Sequence, residues 1–173
     1  SRLFIDAKDD LSIQVHPDDA YAKVHENGSL GKTECWFILD CKENAALVVG
    51  HNAKTKEELE QMIHEGKWKE FIREIPIKPG DFIQIDPGTV HAIKGGTLLL
   101  ETQQSSDITY RVYDYDRLSN GKPRQLHIAQ SIEVITVPAK SAENSVIHTE
   151  EKEDAIQQLI QCPYYTVYRI DVE

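Results

Sequence analysis

The sequence has no run approaching the roughly 20 consecutive apolar residues that span a bilayer. Ser1 to Asp10 also lacks the apolar stretch and small-residue cleavage site of a secretory leader. A soluble, cytoplasmic protein is therefore expected. Basic side chains are not concentrated anywhere: 19 Lys and Arg stand against 29 Asp and Glu, a formal net charge of -10. Such a surface repels phosphate backbones and anionic lipid, so neither nucleic acid nor membrane is an expected partner. Cysteine is scarce. Cys35, Cys41 and Cys162 are odd in number and never spaced as CxxC, which argues against a disulfide framework or a thiolate zinc knuckle and for free thiols. Internal repeats and low-complexity tracts are also missing.

What remains is a chain of 173 residues with 40% apolar side chains, the size and composition of one domain that buries a core. Short β-type segments punctuated by Gly, Pro and Asn dominate: Leu11 to His16, Thr33 to Asp40, Ala45 to Gly50, Asp81 to Asp86, Val90 to Lys94, Thr97 to Gln103, Ile108 to Asp116 and Tyr164 to Val172. About eight strands imply a mainly β sandwich or barrel with a few short helices. Thr55 with Glu58 three residues on is a capping box, and Leu59, Met62 and Ile63 continue at helical spacing, so a helix is expected there, ending near Gly66. Shorter helices are expected over Asp18 to Glu26 and Leu126 to Val134. The polar stretch from residue 139 to 158 reads as a connector with a short helix at Glu153 to Ile160, ahead of a last strand. Both ends are abrupt, which suggests the central part of a longer chain.

Gln14 and His16 stand two apart in a strand-like segment, so both side chains point to one face, as two ligands of one metal must. Alternation alone also produces such pairs on a half-exposed strand. Glu34 adds weight because it lies near the start of a mostly apolar strand, where a carboxylate is costly unless paired or metal-bound. A third piece is Pro79-Gly80-Asp81-Phe82-Ile83-Gln84-Ile85-Asp86-Pro87-Gly88-Thr89-Val90-His91: a Gly turn opens a strand, a Pro-Gly turn closes it, and His91 begins the next strand at a barrel mouth. One amide oxygen, one carboxylate and two imidazoles suit zinc, or manganese, cobalt or iron(II).

The Pro79 to His91 stretch resembles the second signature motif of the cupins, double-stranded β-helix (jelly-roll) proteins, with Asp86 where that motif has proline. The first cupin motif is not present as such: Gln14-Val15-His16 stands in place of His-x-His, and Glu34 lies farther along than usual. Leu11 to Asp19, Gly31-Lys32-Thr33-Glu34-Cys35-Trp36, Pro87 to Ala92 and Glu101 to Arg111 together resemble the zinc-dependent type I phosphomannose isomerases, closest to their shorter members. The resemblance runs from Ile5 to about Pro138. It implies a single cupin-type domain over residues 1–173 that interconverts mannose 6-phosphate and fructose 6-phosphate, with one zinc ion on Gln14, His16, Glu34 and His91. It also places Lys32 and Arg111 in the active site, and Asp107 with them. Gly31 stands where some members have a histidine, so any proton-transfer role for that histidine does not carry over.

Aldose–ketose isomerisation moves a proton between C1 and C2 and needs stabilisation of the developing enediol oxygens. Asp107, Lys32 and a metal-bound water are all open as the proton carrier. Asp107, Thr109 and Arg111 share a face if the strand from Ile108 extends back by one residue, although an internal Asp–Arg ion pair explains the same spacing. Arg111 and Lys32 are the cations that would attract an anionic sugar phosphate to so acidic a protein, and either could hold the phosphate. A non-catalytic sugar- or metal-binding cupin and an iron(II) oxygenase are the competing classes. His25, His51, His64, His127 and His148 read as surface or capping groups, and Trp36 and Trp68 as core. Tyr113 and Tyr115 share the parity of Arg111, which fits either a sugar pocket or barrel packing.

Overall fold

The computed structural model describes residues 2–104, 106–147, 156–161 and 166–170, the last two stretches as backbone. In chain order the strands are β1 (Arg2–Ala7), β2 (Ile13–Val15), β3 (Glu34–Cys41), β4 (Ala46–His51), β5 (Ile72–Pro76), β6 (Phe82–Ile85), β7 (His91–Ala92), β8 (Thr97–Gln103), β9 (Tyr110–Tyr113), β10 (Leu118–Ser119), β11 (Lys122–Pro123), β12 (Val146–Ile147), β13 (Ile156–Gln161) and β14 (Thr166–Ile170). The α-helices are α1 (Asp19–His25), α2 (Lys56–His64), α3 (Trp68–Phe71) and α4 (Ile128–Val134). Ten strands form two five-stranded sheets, ordered β1-β8-β3-β6-β12 and β5-β4-β7-β2-β9, and every pairing is antiparallel. This is the barrel expected from the strand pattern.

Period-2 alternation sorts the side chains into two cores. Leu47 and Val49 of β4 point into the barrel with Trp36 and Ile38 of β3, Ile83 and Ile85 of β6 and Leu99 of β8. Val48, between them, faces the other way with Ile13 and Val15 of β2 and Val112 of β9, and this outer face is covered by Leu59 and Ile63 of α2, Phe71 of α3 and Ile132 of α4. The helices thus close one wall and leave the interior to side chains from both sheets. Thr55 Oγ1 accepts the Glu58 N–H at 3.2 Å, and Gly66, at φ +67, follows the helix end, as the capping box and glycine predicted. Leu59 has no exposed surface. Leu59→Ala is expected to lower unfolding free energy by about 2–5 kcal/mol, read as a fall in the denaturant midpoint with little change in slope.

Several boundaries differ from the sequence expectation. The strand expected to run to Asp116 stops at Tyr113, because Tyr115 and Asp116 take φ of 57 and 55, where a strand cannot continue. β1 pairs along β8, and β5 along β4, in segments that the pattern had left unassigned. Within the expected connector, Val146–Ile147 pairs with β6. The helix expected over Glu153 to Ile160 is instead strand β13 from Ile156 onward, residues 153–155 lying outside those described. Its partner β14 is rich in β-branched and aromatic residues, and pairing with it overrides the helix preference of the Gln-rich stretch. The last strand is therefore paired on one side. Among the described residues, no helix is long and apolar enough to cross a membrane.

Candidate metal centre

Neighbouring strands β7, β2 and β9 bring His91, Gln14 and Arg111 side by side, since Gln14 is the register partner of both others. Directly opposed residues of an antiparallel pair share a face, so all three belong to the inner wall. His16 follows β2 by one residue. The turn that delivers His91 depends on Gly88: at φ +82, an added Cβ there would lie 2.4 Å from Thr136 Oγ1 and 3.0 Å from the Val134 carbonyl. The Gly88 N–H donates to the His16 carbonyl at 2.9 Å, which ties this turn to the strand carrying the other histidine.

Both imidazoles are held in one tautomer. His16 Nδ1 lies 3.1 Å from the Ile108 carbonyl and His91 Nδ1 lies 2.9 Å from the Thr89 carbonyl. A carbonyl only accepts, so each Nδ1 carries the hydrogen and each Nε2 presents a lone pair. These lone pairs face Glu34, the first residue of β3: His91 Nε2 is 3.2 Å from Glu34 Oε1 and His16 Nε2 is 3.5 Å from Glu34 Oε2. One donor atom from each residue falls within 4.8 Å of the others, and all three residues are buried. His16 Nε2, His91 Nε2 and Glu34 Oε2 have no hydrogen-bond partner among the described residues. Lys32 Nζ, 3.2 Å from Glu34 Oε2, approaches the carboxylate from one side, but the two Nε2 lone pairs and the carboxylate still face one another with no donor between them and repel unless a cation sits there, so these residues fit a metal ion. Burial lowers the His16 pKa to about 4, leaving the ring neutral at pH 7 as ligation requires.

Gln14 borders the same space. Its Nε2 donates to Ser12 Oγ at 2.9 Å, which leaves the amide oxygen available. Lys32 is 8% exposed, and its Nζ lies 3.2 Å from Glu34 Oε2, so the expectation that the two share a face holds. Gln14, Lys32, Glu34, His91 and Glu101 line a cavity of about 130 Å³. Glu101, on β8, is the residue that the sequence reading passed over. Burial, and then the nearby Glu34 carboxylate, push its pKa up. A lone carboxylate in the apolar run Thr97 to Gln103, in phase with Leu99, was the available signal.

Arg111 Nη1 donates to the Gln125 carbonyl at 2.8 Å, while its buried Nε has no hydrogen-bond partner among the described residues. His127 clips its backbone: Nδ1 accepts the Arg111 N–H at 3.0 Å, and the His127 N–H donates to the Arg111 carbonyl at 2.8 Å. Asp107 is exposed in the loop ahead of β9, and because β9 begins only at Tyr110 the alternation that would align Asp107 with Arg111 does not extend to it. Tyr113 stacks on Trp68 at 4.4 Å and 15°, and neither Tyr113 nor Tyr115 lines the Glu34 cavity. Trp36 is buried as expected, whereas Trp68 is only partly so. His51 is not a surface group: it is buried at the end of β4, bonded to the Thr136 carbonyl at 2.7 Å and to the Ala53 N–H at 3.1 Å. His148 lies outside the described residues.

Beyond β9, Asp114 is 5% exposed and takes a two-pronged contact from Arg124, at 2.8 and 2.7 Å, and a third bond from Arg117 at 2.9 Å. Arg124, followed by Arg117, holds its pKa down to about 2. The folded pKa lies below the unfolded value, so this stabilisation is present above about pH 4 and disappears as pH falls through about 2. Since both arginines are partly exposed, Asp114→Asn is expected to cost about 1–2 kcal/mol at pH 7. The difference from the parent should shrink between pH 4 and 2 in urea titrations.

The fold and the buried acceptor group define a cupin barrel with a candidate metal centre. No protein-family model matches the chain. It is 56% identical over 165 residues to the mannose-6-phosphate isomerase ManA of Bacillus subtilis, covering 94% of this chain and 52% of that protein. It is 51% identical over 168 residues to the mannose-6-phosphate isomerase of Streptococcus mutans, covering 95% and 52%. A crystal structure of the mannose 6-phosphate isomerase from B. subtilis superposes with a TM-score of 0.89 at 48% identity, over 99% of this chain and 55% of that one. A phosphomannose isomerase from Salmonella typhimurium, at 13% identity and a TM-score of 0.66 over 99% of this chain and 60% of that one, shares the fold. The chain is thus homologous to the mannose-6-phosphate isomerases, and it spans about half the length of the curated relatives it matches.

Proposed function

We propose that this chain carries the active site of a metal-dependent isomerase that interconverts mannose 6-phosphate and fructose 6-phosphate. The observation that carries the reading is the convergence of two oriented imidazole lone pairs and a carboxylate, all buried, beside a cavity edged with Lys32 and Glu101. The homology to proteins named for this reaction supplies the substrate.

His16, Glu34 and His91 would hold a single divalent ion, zinc, with the Gln14 amide oxygen as a fourth ligand. When bound, the ion supplies Lewis-acid charge beside the sugar's C1 and C2 oxygens. The protein's own groups do the rest. Lys32 adds a positive charge at the same wall, where it steadies Glu34 and draws in an anionic substrate. Arg111, next to Gln14 on the sheet, supplies a guanidinium for a phosphate or an enediolate oxygen, its buried Nε having no hydrogen-bond partner among the described residues. Glu101 is the carboxylate best placed to carry the proton between C2 and C1: it lines the cavity, and burial and then the Glu34 carboxylate raise its pKa. Asp107, exposed in its loop, is left out of this role.

The test is a coupled assay of mannose 6-phosphate turnover with metal analysis. Turnover that is abolished by a chelator and restored by zinc is expected. Stoichiometric metal binding without turnover would replace this reading with that of a binding protein, and oxygen consumption with bound iron would replace it with an oxygenase.

A further inference from the structure

Trp36 is the third residue of β3, the central strand of its sheet, paired with Ile83 on one side and Glu101 on the other. It is 1% exposed and among the largest fully buried side chains, so its ring fills the barrel. Two further contacts are not required by filling. Its indole Nε1–H donates to Glu101 Oε2 at 3.1 Å, and its ring meets the His91 ring edge-on, at 5.6 Å between centroids and 63°. Trp36, Glu101 and His91 line the same cavity. A Phe or Leu at this position would also be apolar, but indole alone among the large apolar side chains carries a directed N–H.

We propose that Trp36 is a positioning residue for the reaction: its indole N–H fixes one oxygen of Glu101, leaving the other for proton transfer, while its ring edge braces His91. This inference rests on the isomerase reading, in which Glu101 handles the proton. Without the N–H, the Glu101 carboxyl is free to rotate, and the buried oxygen loses its bonded neutral donor. A reacting group displaced by about 1 Å can cost on the order of 100-fold in rate.

Trp36→Phe keeps an aromatic ring at the position and removes the N–H donor together with one ring of the indole. In the metal-loaded protein it is expected to lower kcat by about 10- to 100-fold with KM and bound metal unchanged. In a Glu101→Gln background, the same substitution should lower kcat by less than about 3-fold, because residues that act as a unit are not additive. Equal losses in both backgrounds, or loss of metal and melting temperature at unchanged kcat, would overturn the proposal and leave Trp36 a packing residue. A second readout needs no turnover. The sequence has two tryptophans, so Trp68→Phe leaves Trp36 as the sole indole. Its emission intensity is expected to change when Glu101→Gln replaces the bonded carboxyl. Unchanged emission would contradict the contact. Should the parent fail to turn over mannose 6-phosphate, the isomerase reading falls on that result, and the emission still decides whether Trp36 and Glu101 are joined.

Discussion

Glu34→Gln is expected to weaken metal binding by more than about 100-fold, beyond the 10- to 100-fold carried by residues that merely support ligands. It should lower kcat by at least about 10²- to 10³-fold, the scale of losing one preorganised electrostatic stabiliser. The substitution preserves shape and removes one negative charge. In the structure that charge is what both Nε2 lone pairs and Lys32 Nζ approach, at 3.2 to 3.5 Å. An amide in its place can donate to one imidazole, which satisfies an orphaned acceptor and also blocks the position a cation would take. The metal-dependent rise in melting temperature should therefore disappear along with activity. Calorimetric titration of zinc into the parent and the variant, with the rate assay alongside, measures both effects.

Glu101→Gln should leave metal binding intact and lower kcat by about 10²- to 10⁴-fold, the range for loss of a general acid or base. KM is expected to change little, since the substituted group keeps its size and its bond from Trp36. Asp107→Asn is the matching control. Asp107 was the carboxylate that the sequence offered as proton carrier, beside Lys32 and a metal-bound water, but it is exposed in a loop, so its loss should leave kcat within a few-fold of the parent. A large effect at Asp107 with none at Glu101 would reverse the assignment and imply that the loop closes over the cavity.

Much of this site could be read from the residues because its signals are local. Gln14 and His16 two apart, Glu34 entering an apolar strand, and the Pro-Gly turn before His91 each specify a face or a turn, and the structure brings the two histidines and Gln14 on one sheet to face Glu34 on the other. Lys32 and Glu34 share a face for the same reason. What was hidden depends on pairing between distant segments. Glu101 is marked as a cavity residue only once β8 lies beside β3, and Asp107 looked aligned with Arg111 until the strand start at Tyr110 removed it from the alternation. His51 and His127 read as surface or capping groups, and His127 does stand at the N-cap of α4, but nothing in the chain announces the Thr136 carbonyl or the Arg111 backbone as their partners. β13 failed for a similar reason: its Gln-rich composition favours a helix, and only its pairing with β14 makes it a strand.

The measurement that bears most directly on the whole account is a zinc-soaked crystal structure with anomalous scattering recorded at the zinc edge. One ion per chain is predicted, within ligand distance of His16 Nε2, His91 Nε2 and a Glu34 carboxylate oxygen, with the Gln14 side-chain oxygen turned toward it. An ion seated elsewhere, or these four side chains bound only to one another at saturating zinc, would contradict it.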